Sequence, residues 1–418
     1  MGRCLKYGAV FHIKVSMLYR GFTFRLYPTP DQEDVFSRFA GVCRLVWNLA
    51  LEQRRDHWRR YQATTGNNLN YVTQARELTL LRAEVDFVRA VHVTPLQRAL
   101  KALDEAYRRA WQGLGGYPVP KKKGVHDAFS FAGREIVLEN INHRWGRIRL
   151  PKIGWVRFRL TRPLAGTIRE ATVSRTVLGW QVSIGCLIDA ETPDPGGAVG
   201  IDRGVTVPLM LSDGTSYSLP ASVADLDRRV RKAQRVASRR KRGSVRHAKA
   251  QRRVAALKAR QARIRKHWAH EATTTITRRY GTVAVERLRT MNMTASASGT
   301  IAEPGRNVAQ KRGLNRAILN VGWHQIEAML LYKAHRLVKV NPAFSSQTCA
   351  SCGTVDSRSR KSQAAFVCTA CGHRDNADRN AAVVILHRGN TPGVEPCLVA
   401  GDEARTIQAP IGLGSLRP

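Results

Sequence analysis

Apolar positions along the chain change period several times, and each change marks a new kind of element. Residues 22–27 alternate apolar with polar or amphipathic side chains, the period-two pattern of a short strand, and Pro28 ends it. Thr29-Pro30-Asp31-Gln32 then reads as a capping box with proline at the first helical position. Val35, Phe39, Val42, Val46 and Leu49 follow at helical spacing and predict a helix to about Tyr61, with Gly66-Asn67-Asn68 as a break. A second helical stretch carries Leu78 and Leu81. A third opens at Thr94-Pro95-Leu96-Gln97, with Leu96, Leu100, Leu103 and Tyr107 on one face, so residues 31–112 read as a small helical unit. Residues 113–124, rich in Gly and Pro and carrying Lys121-Lys122-Lys123, form a basic connector. Between 129 and 189 the pattern becomes short alternating runs at 147–150, 155–160, 171–175 and 180–184. Their spacing is that of a small antiparallel barrel or sandwich, closed by a Pro/Gly linker at 191–197.

From Ala198 the texture is α/β. Residues 198–201 read as a buried strand, 207–211 as another, and Asp213-Gly214 as a hairpin turn to 217–219. Residues 221–270 hold 18 Lys/Arg, only Asp225 and Asp227 as acids, and no proline. They predict a helical hairpin split at Gly243-Ser244, with apolar content too thin for a core helix. A further buried strand, 282–286, ends in an acid. The Ser/Thr/Gly/Asn-rich stretch 291–312 is long enough to be a lid. Residues 314–335 predict a helix with Ile318, Val321, Ile326 and Leu330 inward, 337–340 a strand, and 379–386 a last helix; the tail from 389 lacks periodicity and reads as disordered.

Charge narrows the partner. The 418 residues carry 69 Lys+Arg against 31 Asp+Glu, a formal net charge of +38, and such a surplus repels itself unless a polyanion shares the space. At 43% hydrophobic residues the chain can bury a core, which excludes a disordered basic tail and leaves two or three domains. No stretch approaches the ~20 apolar residues of a spanning helix, and no amphipathic lipid-facing segment accompanies the charge, so nucleic acid is favoured over an acidic membrane. The first residues, with Arg3, Lys6 and Lys14 around a short apolar run, lack a cleavage site and read as no secretory signal; Met17 is an alternative start. Four of the eight cysteines fall in two close pairs and Cys4, Cys43, Cys186 and Cys397 are scattered, which fits a reducing, intracellular compartment.

Two constellations carry chemistry. Cys349-Ala-Ser-Cys352 and Cys368-Thr-Ala-Cys371 are separated by 15 residues and each is followed by glycine, so four thiolates can face one tetrahedral zinc, structural because no position is left for water. Asp202 and Glu286 end strands, and Asp378 opens a helix. Singly, an acid at a strand end is more often a cap or turn former. Together, such carboxylates can hold two Mg²⁺ ions about 4 Å apart for in-line hydrolysis.

Gly200-Ile-Asp-Arg-Gly204, Val285-Glu286 followed by Leu288, and the paired Cys-x2-Cys-Gly motifs followed by Asp378-Arg-Asn-Ala-Ala382 resemble the three RuvC motifs and zinc ribbon of the TnpB family. These are transposon-encoded RNA-guided DNA nucleases ancestral to the type V CRISPR effectors. The stretch 24–30, Trp47-Asn48, the connector 118–130 and the Gly-rich tail are also similar, so the resemblance spans nearly the whole chain. It implies a multidomain α+β protein: an RNase H-like (RuvC) α/β nuclease domain with an inserted zinc ribbon, preceded by a small β-barrel (wedge) and a helical recognition lobe. The implied boundaries are 1–30 for an N-terminal segment with the first wedge strand, 31–117 for recognition and 118–195 for the wedge. RuvC motifs I and II with the basic hairpin fall in 196–341, the zinc ribbon in 342–374, motif III in 375–388 and the tail in 389–418. Asp202, Glu286 and Asp378 would hold two catalytic Mg²⁺; Cys349, Cys352, Cys368 and Cys371 one structural Zn²⁺. Asp375 lies three residues before Asp378, but only Asp378 has the Asp-x-Asn-Ala-Ala context.

The implied activity is cleavage of double-stranded DNA matched to a transposon-derived guide RNA, beside a short flanking motif, by a monomer bound to its RNA in the prokaryotic cytoplasm at the nucleoid, with no membrane partner. The 291–312 lid would open once pairing is complete. A compact type V CRISPR effector shares these motifs. A nuclease-dead RNA-guided repressor should lack one of the acids, a strand-joining transposase would not need the basic hairpin, and a ribosome-like RNA binder leaves the three acids unexplained.

Overall fold

The computed structural model describes residues 16–65, 69–190, 194–300, 303–362 and 364–391, which fall into two compact units divided near residue 191. The segment before Ser16, the break at Gly66-Asn67-Asn68, Cys4, Cys397 and the tail from 392 lie outside the described residues.

The first unit opens with β1 (Ser16–Tyr27), α1 (Pro30–Thr65), α2 (Tyr71–Glu84), α3 (Asp86–Ala90) and α4 (Val93–Trp111). The strands β2 (Ala128–Ala132), β3 (Val137–Asn142), β4 (Trp145–Leu150), β5 (Gly154–Arg159), β6 (Thr167–Thr176) and β7 (Gly179–Ala190) follow. They form a seven-stranded antiparallel sheet in the order β2-β6-β7-β1-β5-β4-β3. One apolar core runs through helices and strands alike: Phe24 and Phe158 meet at 5.2 Å, and Phe36 of α1 packs edge-on against Phe129 and Trp180. The capping box forms, with Thr29 N–H donating to Gln32 Oε1 (3.1 Å) and Gln32 N–H to Thr29 Oγ1 (3.3 Å). The Trp47-Asn48 pair ties α1 to the basic connector. Trp47 Nε1 donates to the Val119 carbonyl, and Asn48 bonds both backbone groups of Lys121, whose ammonium lies 3.7 Å from the Trp47 ring centroid.

β1 starts at Ser16 rather than residue 22, because its first half is specified by pairing with β7, from Ser16↔Ala190 onward, and not by apolar alternation. α4 starts at Val93 and is capped by His92 Nδ1, which accepts from Thr94 N–H; the Thr94 hydroxyl turns instead to Glu135. β3 has no apolar alternation to mark it, because it is an edge strand paired with β4 alone and exposed along most of its length.

The second unit contains β8 (Ala198–Asp202), β9 (Leu209–Leu211), β10 (Ser216–Tyr217), α5 (Ala221–Ser238), α6 (Val245–Arg279), β11 (Thr282–Glu286), α7 (Thr290–Met293), α8 (Val308–Val321), α9 (Trp323–Lys333), β12 (Arg336–Val340), β13 (Ala365–Val367), β14 (Arg374–Asn376) and α10 (Ala377–Gly389). Its main sheet has the order β10-β9-β8-β11-β12, antiparallel through β8 and parallel from β8 to β12. Alternation along the parallel strands divides the two faces. Val199, Ile201, Val283, Val285 and Leu337 meet α6, α8 and α9, while Ala284, Val338 and Val340 meet Ile385 of α10.

The basic hairpin forms as expected, with Ser244 capping α6, but α6 runs on to Arg279. Its distal part buries Trp268, Ala269, Ala272 and Ile276, so the helix that begins as a basic arm ends as a core helix, contrary to the thin-core expectation. The helix expected over 314–335 is two, broken at Gly322, which adopts φ 77°. The loop expected over 291–312 is shortened at both ends by α7 and α8. β9 begins two residues later than expected, since Pro208 has no N–H to give a ladder.

Gly200 decides how α10 sits. A Cβ there would lie 2.1 Å from the Ala382 carbonyl oxygen and 2.7 Å from the Leu386 nitrogen, both backbone atoms of α10. Gly200→Ala is therefore expected to lower stability by about 1–3 kcal/mol, read as a drop in denaturant midpoint with unchanged slope.

Candidate active site and cysteine centre

Parallel pairing brings the first two acids together. Ile201 is in register with Val285, so Asp202 and Glu286, the next residues, end adjacent strands at the same edge of the sheet. That edge is where open α/β sheets place their ligands, because the strands stop there and the chain diverges. The third acid arrives on α10. Asn376 caps the helix by accepting from the N–H groups of Asp378 and Arg379 (3.0 and 3.2 Å), which fixes Asp378 in the first turn. Close packing over Gly200 holds that helix against β8.

Glu286 and Asp378 converge on Asp202. Burial first, then the charges of Glu286 and Asp378, push its carboxyl up to about 7, opposed by Arg360 and the Arg203 backbone amide. Glu286 is buried and accepts from Ser345 Oγ at 2.5 Å. Asp378 is also buried, and its Oδ1 accepts from Arg360 Nη2 at 3.1 Å. Asp375 is engaged elsewhere, pairing with Arg379 at 3.4 Å and accepting from the Asn376 N–H at 2.7 Å.

Other side chains position this edge and were not singled out in the sequence. Arg203, 4% exposed, donates to the Glu286 backbone carbonyl and to Glu327 Oε2 (2.9 Å), and Glu327 also holds Lys339 at 2.6 Å. Trp323 Nε1 donates to the Gly204 carbonyl (3.2 Å). Asn380 is fully buried and bonds the Thr348 carbonyl (2.8 Å) and the Ala350 N–H (2.9 Å). The available signal was position: Arg203 lies inside the first quoted motif and Asn380 inside the third.

The cysteines form a second centre. Cys349 and Cys371 sulfurs lie 3.7 Å apart, Cys352 and Cys368 sulfurs 3.6 Å, and all four lie within 4.8 Å of one another. Zinc–sulfur bonds of about 2.3 Å in a tetrahedron separate sulfurs by about 3.8 Å, so the donor set fits zinc. The two turns are matched: Gly353 N–H donates to the Cys349 carbonyl and Gly372 N–H to that of Cys368, at φ 75° and 73°. β13 and β14 flank the second turn and pair with each other, and β14 runs directly into α10. Among the described residues the four sulfurs are the one set of three or more ligating atoms that close together. The site formed by Asp202, Glu286 and Asp378 is of a different donor type. Its hard oxygen donors are the type that suits magnesium.

Residues 17–63 match a family model described as "Helix-turn-helix domain", 180–297 one described as "Probable transposase" of the IS605 OrfB type, and 323–385 one described as "Cas12f1-like, TNB domain". In this structure 17–63 is a strand and one continuous helix. The chain is 34% identical over 383 residues to the "Putative RNA-guided DNA endonuclease InsQ" of Escherichia coli (strain K12), covering 89% of this chain and 92% of that protein. It is 33% identical over 388 residues to a "Putative RNA-guided DNA endonuclease" of Streptomyces pristinaespiralis, covering 90% of each. The chain belongs to the TnpB family. Its fold is also similar to the protein in a Cas12f1–sgRNA–target DNA complex, at TM-score 0.55 and 13% identity, over 91% of this chain and all of that one. Among the described residues no helix is long and apolar enough to cross a membrane.

Proposed function

We propose that this protein is an RNA-guided DNA endonuclease whose cutting centre is the carboxylate cluster of Asp202, Glu286 and Asp378 in an RNase H-like RuvC domain. The observation that carries the reading is the convergence of Glu286 and Asp378 on Asp202 at the edge where β8 and β11 end. A sheet of three antiparallel strands continued by two parallel ones supports the fold assignment.

Asp202, Glu286 and Asp378 would hold two magnesium ions. Bound there, magnesium supplies an activated water and charge to stabilise the leaving oxygen of the phosphodiester. The protein's own part is positional. Ser345 orients Glu286, Arg203 holds the backbone at the β11 end, and Asn376 and Asn380 fix the helix that presents Asp378. Cleavage of this kind leaves a 5′-phosphate and a 3′-hydroxyl. Cys349, Cys352, Cys368 and Cys371 would hold one structural zinc.

Sequence discrimination would come from pairing between guide RNA and target strand, with protein contacts limited to duplex shape, backbone and a short flanking motif. The exposed arginines and lysines of α5 and the first half of α6 suit phosphate contacts that add affinity without reading sequence. The first unit would supply the recognition helices and wedge strands. The segment between α7 and α8 would act as the lid. All three acids are present, which favours a nuclease over a nuclease-dead RNA-guided repressor.

The test is to purify the protein with co-expressed RNA, sequence what is bound, and supply a matching duplex with Mg²⁺. A discrete RNA and guide-dependent cutting are expected, and RNA affinity should fall by at least about a thousandfold between 50 and 200 mM salt as counterions are released. Absence of a discrete RNA would overturn the reading.

A further inference from the structure

One cationic side chain at the carboxylate cluster, Arg360, reaches it from the cysteine-bearing segment. Arg360 lies between the two cysteine turns, and the chain around it is tied to the second of them. Ser359 Oγ accepts from Thr369 N–H (3.2 Å), Thr369 Oγ1 donates to Asp356 (2.7 Å), and Lys361 N–H bonds the Ala365 carbonyl (3.0 Å). Phe366, which bridges to Arg360 in the backbone, is packed with Cys349, Cys368 and Ala377. The arginine is thus aimed by the cysteine-centred fold. Its guanidinium pairs with Asp378 at 3.1 Å, both side chains largely withdrawn from solvent at 28% and 13% exposure.

We propose that Arg360 is a resident counter-ion that competes with divalent metal for Asp378, so that the ribbon sets the metal affinity of the cutting centre. The proposal rests on the carboxylate reading above. A guanidinium and a metal ion cannot both satisfy one carboxylate oxygen, so metal must displace Arg360 from Asp378. A DNA phosphodiester entering the cluster offers the released guanidinium an alternative anion of matching geometry. DNA and metal then favour each other's binding, and by linkage the factor is the same in both directions. The consequence is a nuclease centre that fills with metal most readily once DNA is in place, which restrains cutting of unmatched nucleic acid.

The experiment is Mn²⁺ binding followed by electron paramagnetic resonance on the protein–RNA complex, with and without a matching duplex carrying a non-hydrolysable linkage at the cut position. For the wild type, DNA should tighten Mn²⁺ binding about tenfold. Arg360→Ala should bind Mn²⁺ about tenfold more tightly than wild type without DNA and gain little on adding it, while Arg360→Lys, which keeps the charge, should stay within about threefold of wild type. Asp378→Asn should lose the site. Unchanged or weaker Mn²⁺ affinity in Arg360→Ala would overturn the proposal and leave the carboxylate site standing. Failure of the wild type to bind Mn²⁺ even with DNA would overturn the carboxylate reading on which it rests.

Discussion

Asp202→Asn is expected to abolish DNA cleavage and at the same time to make the metal-free protein more stable at pH 8. The first effect follows from its proposed role. Loss of a group that merely orients a metal ligand costs about 10–100-fold, so loss of a ligand should cost at least about a thousandfold, with RNA binding retained. The second follows from linkage. Burial and two neighbouring acids raise the folded-state pKa of Asp202 to about 7, above its unfolded value near 3.8. Between those values the folded protein holds a proton that the unfolded chain has released, so stability falls as pH rises through that window and is lowest above it. The full penalty at pH 8 is at most about 4 kcal/mol, and asparagine removes it. Melting temperatures in magnesium-free buffer without chelator, which leaves zinc in place, should show the variant several degrees above wild type at pH 8 and level with it near pH 4. A variant no more stable than wild type at pH 8 would mean that burial and the two neighbouring acids do not penalise the Asp202 carboxylate in the folded state.

Withdrawing the zinc proposed for the cysteine centre should abolish cleavage although no cysteine is an acid or a base in the proposed reaction. Structural zinc of this kind contributes about 10–16 kcal/mol to the fold that encloses it. Asn380 spends both ends of its amide on Thr348 and Ala350, in and beside the first cysteine turn, and Arg360 reaches Asp378 from between the turns. Collapse of the ribbon therefore removes two of the contacts that position the first turn of the helix bearing Asp378, leaving its packing over Gly200. Hydrogen exchange after Cys349→Ser should show protection lost over residues 346–376 and the first turn of α10. β1 to β7 have their own core and should remain protected. Cleavage that survives zinc removal, confirmed by metal analysis, would show that the ribbon does not support the cutting centre. Asn380→Ala alone should cost about 1–3 kcal/mol, because it leaves a buried carbonyl and N–H unpaired.

Much of the architecture is written locally. The cysteine spacing, the glycines after each pair, the acids ending apolar runs at 201 and 285, and the basic run at 221–270 are each decided within a few residues. Each appears in the structure where the sequence places it. The elements without a local signature are those whose stability comes from elsewhere in the chain. The first half of β1 exists because β7 lies beside it, and β3 is exposed but paired to β4. α6 reads as a polar arm until Trp268, Ala272 and Ile276 find a sheet to cover.

The same division runs through the site. Sequence alone determined the family, the four sulfurs, the three candidate acids and the need for a polyanion, because those rest on residue type, short-range spacing and summed charge. Tertiary structure decided which groups face those acids. Arg203 turns inward to the Glu286 carbonyl 83 residues away, Ser345 serves Glu286 across 59, and Arg360 pairs with Asp378 rather than solvent. The physical reason is that a carboxylate's chemistry depends on what is buried beside it, and burial partners are chosen by strand register and helix packing over distances no local motif spans.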